Sequence, residues 1–147
     1  GSSCGGFFSL EHYRRHFLPP FVALVDCIDA LGVPILLHAC GNLWMYLDDL
    51  AETKVAAVHP LQRTAGMDLA QVKEKYGRRW CLIGNIDLDY TLTLGTPEEV
   101  DREVKERIAV AGKGGGYILS SANSITDYCK IDNVRAMSKA LKKYGKY

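Results

Sequence analysis

Pro34-Ile35-Leu36-Leu37-His38-Ala39-Cys40-Gly41-Asn42 is the stretch on which the reading of this chain turns. The apolar run reads as a buried strand, closed by Gly41-Asn42. Side chains alternate across a strand, so Leu36, His38 and Cys40 share one face while Ile35, Leu37 and Ala39 take the other. An imidazole and a thiol two residues apart on one face are a candidate pair of zinc donors. A catalytic zinc usually takes three protein ligands, and this motif supplies two. The alternative is a hydrogen-bonded histidine beside a buried, inert cysteine. The stretch itself leaves both open.

Outward from this strand, helices and short apolar strands alternate. Residues 9 to 31 read as a helix with Ser9 at its N-cap, and Pro19-Pro20 should kink or split it. Residues 43 to 52 read as a short helix and Val55 to Pro60 as a second strand. Asp68 to Tyr76 is a helix with Gly77 closing it. Trp80 to Asp87 is a third strand. Thr96-Pro97-Glu98-Glu99 opens the clearest helix, with Thr96 as N-cap, Pro97 at the first helical position and Glu99 placed for a capping box. It runs to about Ala111. Tyr117 to Ser121 is the fourth strand, and residues 131 to 144 form a closing helix. Such alternation implies a parallel sheet covered by helices. Four βα units are half of a (β/α)8 barrel, and an open doubly wound sheet is the alternative.

Each predicted strand ends in polar residues: His38 to Asn42, His59-Pro60, Asn85-Ile86-Asp87, and Ser120 to Asn123. Ligands of parallel α/β folds bind at the carboxyl ends of the strands, so one polar site is expected there. Gly112-Lys113-Gly114-Gly115-Gly116 is not a phosphate loop. No Ser or Thr follows the lysine, and the run leads into a strand instead of a helix. It reads as a helix terminator and tight turn. Cys27 is expected in the core, Cys81 as structural, Cys129 as a loop residue in solvent or packed rather than at the mouth, and Asp68 as a helix cap. His12 and His16, one turn apart, read as an ordinary helix face.

The composition is that of a globular domain: 147 residues, 48% hydrophobic and 24% charged. With 18 basic and 17 acidic residues and a net charge of +1, no basic stripe points to nucleic acid. No apolar run approaches the ~20 residues of a membrane span, and no signal peptide is expected. The five cysteines are irregularly spaced, which argues for a reducing, cytoplasmic setting and against a disulfide framework.

Several stretches together carry a resemblance to a known family. They are Gly32 to Asn42, Pro60-Leu61-Gln62 with Gly66-Met67-Asp68-Leu69, and Val72-Lys73 with Tyr76-Gly77. Gly84-Asn85-Ile86-Asp87, Gly95 to Val100, Gly115 to Leu119 and Asp132-Asn133-Val134 complete the set, which resembles the uroporphyrinogen decarboxylase superfamily. The resemblance covers residues 1–147 in order. It implies a single domain, the C-terminal half of a TIM (β/α)8 barrel, without the N-terminal half.

The superfamily has two main branches, and the resemblance is closer to the corrinoid-dependent methyltransferases, which use zinc to activate a thiol. In that branch a His-x-Cys pair and a later cysteine bind zinc. His38 and Cys40 match the pair, and Asn123 stands where the later cysteine, or the histidine of the decarboxylase branch, is expected. The other branch removes carboxylates from uroporphyrinogen without a cofactor. The implied function is therefore methyl transfer from a corrinoid to a zinc-activated thiol, by the enzyme or by a fragment of it. Tetrapyrrole decarboxylation and a non-catalytic, self-associating half barrel are the alternatives. The expected metal ligands are His38 and Cys40, the catalytic residues Asp87 and His59, and the substrate-binding residues Asn42, Asn85 and Asn123. The expected cofactors are zinc and a corrinoid delivered by a partner protein. A small-molecule substrate is expected, with a homo-oligomer or pairing with the other half barrel, and neither nucleic acid nor membrane.

Overall fold

A computed structural model describes residues 2 and 4–146. Helices α1 (Leu10–His16) and α2 (Leu18–Asp29) lead into strand β1 (Leu36–His38). A 3-10 turn (Trp44–Tyr46) and α3 (Leu47–Ala51) precede β2 (Ala57–His59), and a second turn (Arg63–Ala65) with α4 (Leu69–Tyr76) precedes β3 (Cys81–Ile86). Then come α5 (Pro97–Ala111), β4 (Tyr117–Ser121) and α6 (Ile131–Tyr144). The expected order of elements is the observed one, with β1 and β2 shorter than read.

The long first helix is split, as the proline pair requires. The break falls at Phe17, so the prolines occupy the first turn of α2, where a missing N–H costs no hydrogen bond. Ser9 and Asp68 cap α1 and α4 by accepting from the His12 and Gln71 amides. Thr96 and Glu99 form the full capping box of α5. Gly77 closes α4 in a right-handed conformation, so no left-handed cap is used there.

The four strands lie side by side in chain order, β1-β2-β3-β4, all parallel. A doubly wound sheet would reverse direction at a switch point. Sequential order is that of half a (β/α)8 barrel. One face of the sheet is packed: Val58, Leu82 and Ile86 are fully buried, with Val72 of α4 and Val100 and Val104 of α5 in the same core. Each such side chain stabilises the fold by about 1.5–3 kcal/mol. The other face is the one that lines a barrel. Leu36 and Ile118 on it are 54% and 53% exposed. Gly84 permits the close approach of β3 to the loop after β2, because a Cβ there would collide with the Pro60 carbonyl.

Cys27 is exposed, against expectation. Helix α2 buries only Val25 among its residues, and the thiol lies on its outward side.

Candidate functional site

Four of the predicted site residues meet at the carboxyl end of the sheet. His38 ends β1 on the barrel-lining face with Leu36, as the alternation requires, while Ile35, Leu37 and Ala39 pack against the core. The parallel register sets His38 opposite His59. Their rings lie 4.8 Å apart at 45°, and their Nδ1 atoms are 2.7 Å apart. The other nitrogen of His38, Nε2, is 3.1 Å from Cys40 Sγ. Asn123, from the loop after β4, donates its Nδ2–H to the same sulfur at 3.2 Å. His59 Nε2 lies 3.3 Å from the Ser121 carbonyl. One hydrogen-bonded row thus runs from β4 through β2 and β1 and back to the loop after β4.

The row is asymmetric in its surroundings. His38 and Asn123 are exposed, whereas His59 and Cys40 are half-buried. Burial pulls His59 below the ordinary histidine range; the Ser121 carbonyl opposes this, and His38 adds to it. His59 is therefore neutral near neutral pH. Next to the row, Leu88, Asp89, Thr93, Asn123, Ser124, Thr126 and Tyr128 line a cavity of about 520 Å³, largely open to solvent. Asn123 belongs to both.

The remaining predicted residues hold the backbone around this site. Asn42 accepts from the Trp44 amide. Asp87 is buried and its two carboxylate oxygens accept from the amides of Asp89, Tyr90 and Thr91, fixing the loop that lines the cavity. The Asp87 amide in turn donates to Glu103, a buried carboxylate on α5. Asn85 is fully buried and donates to the Leu61 carbonyl. Leu61 has a left-handed backbone, φ 54°, uncommon for a residue with a side chain, and Asn85 fastens it there. Ser121 was not singled out in the sequence, because its contribution is a main-chain carbonyl.

The donors His38 Nε2 and Cys40 Sγ are of the kind zinc takes, and they converge on one spot. Among the described residues, no group of three or more His, Cys, Asp or Glu side chains is arranged to hold one metal ion. His59 does not complete such a set, because it meets the far nitrogen of His38. The row therefore offers two ligands, one of them braced from behind. No helix of the described residues is long and apolar enough to cross a membrane.

Comparison with known proteins bears on the fold and the family. The profile of the family Uroporphyrinogen decarboxylase (URO-D) matches residues 1–144. The chain is 31% identical to a uroporphyrinogen decarboxylase of Shewanella pealeana over 92% of its length and 37% of that protein's. It is 32% identical to the Methylobacillus flagellatus uroporphyrinogen decarboxylase, over 95% of this chain and 39% of the relative. It is also 30% identical to the methylcobamide:CoM methyltransferase MtbA of Methanosarcina mazei, over 91% of this chain and 37% of that one. A solved methyltransferase structure from Methanosarcina mazei superposes with a TM-score of 0.79 at 22% identity, covering 97% of this chain and 40% of the other. The chain thus spans about two fifths of the length of the proteins it matches. Relatives of both activities stand at similar identity. By profile, relatives and fold, the chain belongs to the uroporphyrinogen decarboxylase family.

Proposed function

We propose that this chain carries the thiol-activating end of a methyltransferase, in which a methyl group held by a corrinoid on a partner protein passes to a small thiol. The observation that carries the reading is the convergence of His38 Nε2 and Cys40 Sγ, 3.1 Å apart at the open end of the sheet. These two atoms would hold zinc, which lowers the pKa of a thiol until its sulfur is a nucleophile near neutral pH. Asn123 supplies a hydrogen bond to the Cys40 sulfur and so spreads its charge. His59 steadies the His38 ring from its other nitrogen, as second-shell partners of ligating histidines do. Asp87 acts one step away, by fixing the loop that borders the cavity beside Asn123. His38 and Cys40 would share the metal with the incoming thiol and a donor outside this set. Thiol chemistry of this kind suits a reducing, cytoplasmic compartment.

Calorimetric titration of coenzyme M, the acceptor named for the Methanosarcina relative, tests this. In zinc-loaded protein the thiol should bind and release a proton, measured by repeating the titration in two buffers of different ionisation heat. Cys40→Ala should abolish the proton release. Binding without proton release would contradict the reading.

Decarboxylation of tetrapyrrole carboxylates is the second reading. It is favoured by the two-ligand count. His38, Cys40 and Asn123 would then line a substrate pocket. Turnover of uroporphyrinogen, unaffected by zinc removal, would select it.

A further inference from the structure

The tautomer of His38 follows from its neighbours. Two ring nitrogens 2.7 Å apart share one proton and no more, since two protons would collide and none would leave two lone pairs facing. Which ring owns it is decided at the far side of His59. There Nε2 faces the Ser121 carbonyl at 3.3 Å, and a carbonyl only accepts. His59 Nε2 therefore carries the proton of that ring, and in the neutral ring Nδ1 is bare. The shared proton belongs to His38 Nδ1, and the bare nitrogen of a neutral His38 is Nε2. That is the nitrogen 3.1 Å from Cys40 Sγ.

We infer that His59 is a positioning residue: it locks His38 in the Nδ1–H tautomer and so turns a lone pair on Nε2 toward the Cys40 sulfur. The device is built from the sheet. Parallel pairing sets His38 against His59, and the anchor is a main-chain carbonyl at the end of β4 that also accepts from the Ser120 hydroxyl. A flexible anchor would let the His59 ring flip and reverse the order of donors. The inference rests on the zinc reading only for what the lone pair serves; the tautomer itself is a property of the metal-free chain.

Long-range proton–nitrogen correlation spectra of the metal-free protein, labelled with 15N-histidine, read the tautomer directly, with His38→Gln for assignment. The expected result is an unprotonated Nε2 and a protonated Nδ1 at His38. His59→Phe removes the acceptor and should abolish that preference. His59→Asn, whose Oδ1 can stand near the lost Nδ1, should restore it. Zinc affinity by chelator competition should fall roughly 10–100-fold in His59→Phe and largely recover in His59→Asn. A proton on His38 Nε2 in the wild type would overturn the inference. So would an unchanged tautomer in His59→Phe. If the wild type takes up no zinc, the methyltransferase reading fails and the spectra alone decide the role of His59. If His59→Phe does not fold, the wild type and His59→Asn still decide it.

Discussion

His38 and His59 occupy matched positions on adjacent parallel strands, and their Nδ1 atoms lie 2.7 Å apart. The contact joins two strands that arrive 21 residues apart in the chain. It also sets the direction of the whole row, because the ring of His59 has one nitrogen on the Ser121 carbonyl and the other on His38. The site is thus a product of sheet register, and changes to it can be separated from changes to the helices that hold the sheet.

Asn123 lies 3.2 Å from the Cys40 sulfur without offering a thiolate. Asn123→Cys should add a donor beside the existing pair. Zinc affinity, measured by competition with a chromogenic chelator, is expected to rise at least about tenfold, which corresponds to about 1.4 kcal/mol. An unchanged affinity would mean that His38 and Cys40 do not form one half of a zinc site.

Asn133 is fully buried on α6 and donates from Nδ2 to the carbonyls of Thr91, Leu92 and Gly95. It ties the closing helix to the loop beside the cavity. Asn133→Ala removes this donor from all three carbonyls, of which Leu92 keeps the Lys130 amide and Gly95 the Lys130 ammonium, and should cost about 1–3 kcal/mol in urea denaturation. A loss under half a kcal/mol would show that water replaces the side chain.

The barrel-lining face exposes Leu36 and Ile118, and among the described residues β1 pairs only with β2 and β4 only with β3. Open parallel edges and an uncovered apolar face favour association with a second sheet. The chain alone is expected to self-associate at micromolar concentration in light scattering. The double variant Leu36→Lys, Ile118→Lys should shift it toward monomer. A monodisperse wild-type monomer would contradict this.

Much of this was legible in local chemistry. The capping box at Thr96 and Glu99 needs only four residues in a row. The shared face of Leu36, His38 and Cys40 follows from strand alternation. The helix break follows from Pro19-Pro20, although its position at Phe17 depended on prolines fitting the first turn of the second helix. What local chemistry could not show is which strand ends meet. His59 looked like one polar terminus among four, and its contact with His38 arises from register. Asp87 and Asn85 looked like site residues because they end a strand, yet their polar atoms hold the backbone of neighbouring loops. Cys27 was misplaced because its helix is apolar in sequence, while the structure covers only a narrow stripe of it.

Zinc content by elemental analysis tests the central claim most directly, on protein loaded with excess zinc and desalted. Wild type should retain close to one zinc per chain, and His38→Ala and Cys40→Ala should each lose it while keeping their helical circular dichroism. Wild type without retained zinc, or variants that hold it as well as wild type, would contradict the assignment of His38 and Cys40 as a metal-binding pair.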